Sequence, residues 1–395
     1  MHQKNNRRDS MNILHMTTFL QGGAGRIIYN LALQQKRDGH RVVVITSETG
    51  EPGYENYSEY IDGLIANDIA VYKIDSSFKR NLYLNLLVVE QARKIILEND
   101  IDIIHAHAAI PALIGMISRQ ISNKYIPVIQ TMHGYGFNKN YEQEQMDKII
   151  MNGLDKVVPV SFDSKDLLES KGVCSDKMEV IYNGIFEDQN NSITDEDLDL
   201  KELQEFKKKE RTIIGCIGSV CDRKNQELLV EAIKLLKEKN PLIVCYFVGE
   251  GDNLEELQAK AKNYGLENQI RYVGYKKNAN DYLKNFELLI LPSKSEGFGL
   301  VIIEGFRQQV PVLSSDIKVF KELIRDNVNG FLFKNEDKED LALKIEQIIK
   351  MPAKEKAEII EKAYDDYKTN FTFDTMYHRY MELYKQLIFT NKKDE

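Results

Sequence analysis

Residues 288–304 read LLILPSKSEGFGLVIIE, and this stretch decides the fold. Leu288-Leu289-Ile290-Leu291 is short, apolar and closed by Pro292, as in a strand buried on both faces of a parallel sheet. Leu300-Val301-Ile302-Ile303 opens a helical run, and Gly297 and Gly299 permit torsions and close approaches that a β-carbon would block. A strand that turns through glycines into a helix aims uncapped N–H groups beyond the strand end. The helix dipole there amounts to about half a positive charge and favours a phosphate. Glu304 falls on the first turns of the helix, where a carboxylate can accept two hydrogen bonds from a ribose diol. Glu296 falls at the lip, facing whatever the phosphate bears. Taken alone, two glutamates at this spacing are most simply two exposed acids, so the reading depends on the rest of the chain.

Outward from this stretch the same cadence repeats. Around it lie TIIGCIGS at 212, LIVCYFVGE at 242, QIRYVGY at 269, VPVLSS at 310 and GFLF at 330. The first half carries MNILHMT at 11, RVVVITS at 41, IDIIHAH at 101, PVIQTMH at 127, KVVPVS at 156 and KMEVIYN at 177. Amphipathic stretches such as 26–37 and 85–98 separate them, which is the β-α-β pattern of an α/β fold with a helix-covered parallel sheet. A chain of 395 residues exceeds one ordinary core, so two doubly wound, Rossmann-like domains are expected. The expected division is a disordered tail over 1–10, a first domain over 11–190, a polar linker over 191–209, a second domain over 210–372 and a last helix over 373–395. Met11 opens the first strand and is a candidate start. In the last helix Tyr377, Tyr380, Met381, Tyr384 and Leu387 recur at helical spacing.

Composition excludes several classes. A formal charge of -8 and a pI near 5.6 argue against a nucleic-acid partner, since no net basic field draws a polyanion. The four cysteines, Cys174, Cys216, Cys221 and Cys245, form no metal-ligand spacing and read as reduced intracellular thiols. No apolar run reaches the roughly 18 residues of a membrane span, and no signal-peptide core follows MHQKNNRRDS, so a cytoplasmic location is expected.

Several segments carry chemistry-bearing residues. Gln21-Gly22-Gly23-Ala24-Gly25-Arg26 is a glycine-rich turn opening a helix after the first strand. The dinucleotide fingerprint fails at Ile28, which counts against a nicotinamide enzyme, although a tight strand-to-helix turn can still approach a ligand closely. At the analogous place in the second half stands Gly218-Ser219-Val220-Cys221-Asp222-Arg223-Lys224-Asn225. Arg223 as a planar fork and Lys224 as a compact charge would neutralise a diphosphate and stabilise charge on a departing one; the bland alternative is a solvated basic turn. His133, in Thr131-Met132-His133-Gly134-Tyr135-Gly136, reads as a loop-tip residue after a buried strand. His105 and His107 alternate along IDIIHAH and read as structural or supporting. Asp100 and Asp102 spell D-x-D but precede a strand, so they read as solvent-facing and imply no metal.

The ordered set GGAGR at 22, DIIHAHAAIPALIG at 102, TMHGYG at 131, VSFDSKDLL at 160, VIYNGI at 180, GSVCDRKN at 218, VGEGDNLEELQ at 248 and EGFGLVIIE at 296 resembles the retaining glycosyltransferases of family 4, of the GT-B fold. The resemblance runs from Met11 to the last helix. It implies two Rossmann-like domains facing each other across a deep cleft, the first binding acceptor and the second nucleotide-sugar, with the last helix returning to the first domain. It places Glu304 on the ribose, Arg223 and Lys224 on the diphosphate, and the backbone at Gly22, Gly23, Gly297, Phe298, Gly299 and Leu300 near phosphate and sugar. Glu296 would hold donor-sugar hydroxyls, His133 would lie near the transferred sugar, and Tyr275 near the base. The family commonly has Arg immediately after the glycine at 218, where this chain has Ser219. Catalytic duty thus falls on His133, Glu296, Arg223 and Lys224. The implied reaction is metal-independent transfer of a hexosyl group with retention and without cofactor, the departing diphosphate oxygen helping to deprotonate the acceptor.

On family frequency the donor is a uridine diphosphate sugar, N-acetylglucosamine or glucose first. The acceptor is a small molecule or a glycan. Three acids, Glu142, Glu144 and Asp147, follow His133 and suggest an amine-bearing acceptor such as an aminocyclitol in antibiotic biosynthesis, and the loop resembles transferases acting on such cyclitols; a solvated helix start is the plainer account. The competing acceptor is an envelope polysaccharide or glycolipid, with peripheral membrane contact through a surface such as Lys79-Arg80-Asn81-Leu82-Tyr83. From another class come a nucleotide-sugar epimerase and a non-catalytic sugar-nucleotide binding protein.

Overall fold

The short β-branched runs form strands because each is apolar enough to be buried on both faces, and the amphipathic stretches between them cover those faces as helices. The computed structural model describes residues 10–48, 50, 54–74, 82–136, 139–187 and 197–391. The chain divides into one unit of residues 1–183 with 376–395 and a second of 184–375.

In the first unit, β1 (Asn12–Met16), β2 (Arg41–Ser47), β3 (Ala70–Ile74), β4 (Ile103–Ala106), β5 (Val128–Met132) and β6 (Lys156–Pro159) form one sheet in the order β3-β2-β1-β4-β5-β6. Every pairing is parallel. The order reverses direction between β1 and β4, where Leu14 lies opposite Ile104 and His15 opposite His105. The helix Ala109–Ile121 lies on this sheet through Ala112 and Gly115, and a β-carbon on Gly115 would meet Ile104 at 3.1 Å. Leu14, Ile104, Val128 and Ile114 are fully buried, each of them contributing about 1.5–3 kcal/mol relative to exposure.

The second unit repeats the plan. Here β7 (Thr212–Ile217), β8 (Ile243–Val248), β9 (Ile270–Tyr272), β10 (Leu288–Leu291), β11 (Val312–Ser315) and β12 (Phe331–Phe333) lie in the order β12-β11-β10-β7-β8-β9, again all parallel. The reversal falls between β7 and β10. Crevices at the carboxyl ends of strands flanking such a reversal are where open α/β sheets take ligands.

Three expectations need correction. KMEVIYN is no strand beyond a single bridge from Met178 to Val157, although the Glu179 and Ile181 N–H groups donate to the Val157 and Pro159 carbonyls of β6; β3, in contrast, escapes the sequence reading altogether, because AVYKI is mostly half-exposed at the sheet edge. Of the expected linker 191–209, residues 191–196 lie outside the described residues, and Leu198–Lys208 is a helix of the second unit. Asp197 caps it through the N–H groups of Asp199 and Leu200, and Glu202 pairs with Arg271. Asp102 is not merely solvent-facing, since its carboxylate accepts the Asn12 N–H at 2.8 Å and ties β4 to β1. The expected tail over 1–10 lies outside the described residues except for Ser10, as do Lys79, Arg80 and Asn81 of the expected membrane surface.

The last helix, Phe373–Asn391, changes unit near its start. Phe373 stacks on Phe186 in the second unit, at 4.0 Å between ring centroids. Beyond Met376 the helix belongs to the first unit, where Tyr380 and Tyr384 are fully buried, Tyr377 donates to Asp38 at 2.5 Å, and Arg379 pairs with Glu179 at 3.7 Å. Its aromatic spacing therefore serves a core rather than solvent.

Candidate active site

In the second unit the loops leaving β7, β8 and β10 are pressed together by glycines. Gly218 has φ +143° and Gly249 φ +147°, and a β-carbon on Gly249 would come within 2.1 Å of the Gly218 carbonyl oxygen. Only glycine tolerates this approach. Val220 N–H donates to the Glu250 carbonyl at 2.9 Å, and Lys294 N–H donates to the Arg223 carbonyl at 2.9 Å, which locks the β10 loop to the β7 loop. Asn225 then turns the chain at φ +53° into the helix Gln226–Leu236.

This framework carries Arg223 and Lys224 to Glu296, across the reversal between β7 and β10. Lys224 Nζ lies 2.5 Å from Glu296 Oε1, Arg223 Nη1 lies 2.6 Å from Oε2, and Ser293 Oγ donates to Oε1 at 3.1 Å. Arg223 also donates to the Ser295 carbonyl at 3.1 Å. Burial pushes the Glu296 carboxyl up, but Lys224 and Arg223 outweigh it and hold the group below the ordinary glutamate value. The trio therefore keeps one net positive charge. Nearby Cys216 is buried and its thiol is pushed up to about 12, so it is no nucleophile.

The helix Leu300–Arg307 begins beside this cluster in sequence, with Gly299 at φ +103° as its N-terminal residue. Among the described residues no side chain caps it. A β-carbon on Gly299 would meet the Phe320 ring at 2.8 Å, so the turn admits no other residue without a shift. Phe298 is buried with its ring edge-on to Phe371, and Glu304 is buried on the second turn of the helix. At the end of β9, Gly274 has φ +69° and Tyr275 is 55% exposed, its N–H donating to Glu250 at 3.2 Å. Ser219 is exposed, and its carbonyl accepts from Gln226. Thus Ser219, Arg223, Lys224, Tyr275, Glu296, Gly297, Phe298, Gly299, Leu300 and Glu304 all lie at the carboxyl edge of the second sheet or on the short helix that follows it.

Gly22, Gly23 and His133 belong to the first unit. Gly22 and Gly23 form the exposed first turn of the helix Gly22–Arg37, which among the described residues also has no side-chain cap. His133 sits in the loop directly after β5, half-buried, with its ring turned towards a row of buried histidines. His133 Nε2 is 3.1 Å from His107 Nδ1, His107 Nε2 is 3.0 Å from His15 Nδ1, and His15 Nε2 is 2.8 Å from Gln35 Oε1. His105 bridges Tyr384 at 2.5 Å and Thr131 at 2.7 Å, and Thr131 reaches Tyr380 at 2.8 Å. Burial holds His15 and His133 down to about 4, and His105 and His107 well below the ordinary imidazole value. Ligand atoms of His15, His105 and His107 lie within 4.8 Å of one another, a spacing a metal ion could use. Both nitrogens of each ring are already engaged in hydrogen bonds, so the group is arranged as a network.

Sequence reasoning missed His15 and Gln35. The signal was present: a histidine at the end of an otherwise apolar strand, MNILHMT, must find a buried partner. Of the acids after His133, Asp147 is buried and pairs with Lys139 at 2.7 Å, while Glu144 pairs with Lys171 at 2.6 Å. Asp147 is thus held inside the fold, while the Glu144–Lys171 pair lies at the surface. Glu142 lines a surface depression with Leu113, Tyr141, Met146, Ile149 and Ile150. Phe137 and Asn138 of the same loop lie outside the described residues.

With two parallel sheets of this order and a cationic cluster at a strand reversal, the molecule has the two-domain α/β architecture of GT-B glycosyltransferases. Residues 21–189 match the family described as Glycosyltransferase Family 4, and residues 199–366 match Glycosyl transferases group 1, so both halves are glycosyltransferase domains. Among relatives, the putative glycosyltransferase EpsD of Bacillus subtilis is 26% identical over 279 residues, 68% of this chain and 72% of that one. The O-antigen biosynthesis glycosyltransferase WclY of Escherichia coli is 24% identical over 298 residues, 72% of this chain and 79% of that one. The crystal structure of Anabaena Alr3699/HepE in complex with UDP and glucose has a TM-score of 0.79 at 22% identity, covering 95% of this chain and all of that one.

Proposed function

We propose that the protein transfers a hexosyl group from a uridine diphosphate sugar, N-acetylglucosamine or glucose, to a hydroxyl of an envelope glycan or its lipid-linked precursor. The observation that carries this reading is the Arg223–Glu296–Lys224 cluster joining the β7 and β10 loops. A diphosphate brought to it meets two cations already held in place, and stabilising charge on a departing diphosphate is the largest service such a site performs. Glu304 suits the ribose and Tyr275 the base. Glu296, fixed by both cations, positions them while its carboxylate takes donor-sugar hydroxyls. On this reading the two cations offset part of the charge on the leaving group in place of a metal, and attack from the leaving-group face, with no enzymic nucleophile, gives retention.

The envelope acceptor is favoured by the name of the WclY relative and by the apolar depression around Tyr141 and Ile149, which suits an acyl or prenyl chain better than an ammonium. Of the three carboxylates proposed for an aminocyclitol acceptor, Asp147 is already paired inside the fold with Lys139.

The test is incubation with UDP-N-acetylglucosamine and UDP-glucose labelled in the sugar, in chelator, with a cell-envelope glycolipid extract as acceptor. Released UDP, epimerised donor and labelled glycolipid are assayed separately. Labelled glycolipid with an α-linked sugar is expected. Epimer without transfer, or failure of every UDP-sugar to raise the melting temperature, would replace this reading by an epimerase or by a different donor class.

A further inference from the structure

In the second unit one carboxylate gathers both ends of the connection that follows β9. Asp197 stands at the N-terminus of the helix Leu198–Lys208, where its Oδ1 accepts the N–H groups of Asp199 at 3.1 Å and Leu200 at 3.2 Å. The same carboxylate takes Lys276 Nζ, at 3.1 Å from Oδ1 and 3.0 Å from Oδ2, and the Tyr282 hydroxyl at 2.8 Å. Asp199 Oδ2 also takes Lys276, at 2.8 Å. A helix N-terminus by itself repels a cation, so it is the two acids that make this end a seat for Lys276. Their side chains are not loose at the surface: Lys276 is 21% exposed and Asp197 24%. Burial works against the Lys276 charge, but Asp199 and Asp197 outweigh it and raise the group above the ordinary lysine value. Tyr282, beyond Lys276 in the short helix Ala279–Leu283, is buried with its ring 6.3 Å from that of Tyr246 on β8.

The stretch before Lys276 is held from the other side. Val273 N–H donates to the Phe247 carbonyl at 3.1 Å, Gly249 N–H to the Gly274 carbonyl at 2.8 Å, and Tyr275 N–H to the Glu250 carboxylate at 3.2 Å. The Tyr275 backbone is thus anchored to the β8 loop by its own N–H and to the helix Leu198–Lys208 through the next residue, while its ring stays exposed. An exposed ring on a doubly anchored backbone is a fixed platform for a flat partner.

We propose that Lys276, seated on Asp197 and Asp199, is a positioning residue that fixes the Tyr275 segment, so that a nucleotide is selected by its base and not by its diphosphate alone. The clamp stands on the geometry; its effect on the base rests on the transferase reading. Holding a segment in its bound conformation before the ligand arrives removes an ordering cost, worth up to about tenfold in affinity for one immobilised side chain. The diphosphate has its own seat at Arg223 and Lys224 after β7, so the two halves of a nucleotide can be probed apart.

Calorimetry of the full chain with UDP and with inorganic pyrophosphate tests this. Lys276→Met is expected to weaken UDP binding about tenfold and to leave pyrophosphate within about twofold, a split that a general loss of structure would not produce. Unchanged UDP affinity in a folded Lys276→Met protein, or an equal loss for both ligands, would overturn the proposal. Should Lys276→Met fail to fold, Asp199→Asn removes one seat and leaves the Asp197 cap in place; a smaller loss for UDP alone is expected, and no loss would overturn the proposal. Hydrogen–deuterium exchange reads the clamp without a ligand. Residues 273–278 should exchange faster in the variant while β8 stays protected, and unchanged exchange over 273–278 would show that Lys276 fixes nothing there. If the wild-type chain does not bind UDP, the nucleotide reading falls, and the exchange measurement alone decides the clamp.

Discussion

At the scale of single residues, Glu296 organises its site because it is 9% exposed and bound on both oxygens, whereas its partners differ: the Lys224 side chain is 15% exposed and Arg223 41%. The more buried cation should matter more. Lys224→Ala is expected to lower kcat about a hundredfold, the loss typical of one charge-stabilising donor, and Arg223→Ala by less, as steady-state assays with a saturating donor will measure. Removing Lys224 also leaves a buried carboxylate half-compensated, so a thermal melt must accompany the assay. Glu304→Ala should act on nucleotide binding instead, weakening affinity for UDP roughly tenfold, about the 1.4 kcal/mol of a charge-assisted hydrogen bond, by calorimetry. Most of these residues were legible because each follows an apolar strand run and precedes a helical one. Glu296, Arg223 and Lys224 were named from sequence, but their mutual pairing was not, since residues 72 or more positions apart meet only through the strand order. His133 was named and its surroundings missed, because nothing local says that its ring turns inward to His107.

At the scale of elements, the short helix Leu300–Arg307 depends on one glycine. Gly299 sits at φ +103° with the Phe320 ring where a β-carbon would go, so both torsion and volume resist substitution. Gly299→Ala should cost about 1–3 kcal/mol, the usual range for a strained torsion at a functional site. It should also displace the first turn and weaken UDP binding; Gly134→Ala, which meets open space, should do neither. Unchanged UDP affinity in Gly299→Ala by calorimetry would detach this helix from the nucleotide. Periodicity revealed the elements buried on two faces and concealed those buried on one. β3 is an edge strand with polar Tyr72 and Lys73, and the helix Leu198–Lys208 buries only Leu200 and Leu203 under a charged surface, so both look like loops in the chain. KMEVIYN differs in another way: it runs beside β6, with the Glu179 and Ile181 N–H groups donating to the Val157 and Pro159 carbonyls, but forms only one bridge with it.

At the scale of the whole molecule, the two units titrate differently. The first contains the buried histidines, and the second the Glu296 cluster. A histidine held neutral in the folded state and ordinary in the unfolded one binds its proton only on unfolding, so its unit loses stability as pH falls below about 6.5, until the folded value is reached. For His15 and His133, lowered to about 4, the full loss is on the order of 3 kcal/mol each, with His105 and His107 adding to it. Glu296 works the other way. Its carboxyl is held below the ordinary value of 4.5, so its contribution is intact above that pH and disappears only as pH falls through the folded value. Between pH 6.5 and 4.5, therefore, acid should weaken the first unit and spare the contribution of this cluster to the second. Differential scanning calorimetry of the full chain at pH 7.5 and pH 5 is expected to split one broad transition into two, the earlier belonging to residues 1–183 with 376–395. UDP at pH 5 should raise only the later one, since a ligand stabilises the unit that binds it. A single transition at pH 5 that UDP moves as a whole would show that the units unfold together, while UDP raising only the earlier transition would place the nucleotide in the first unit.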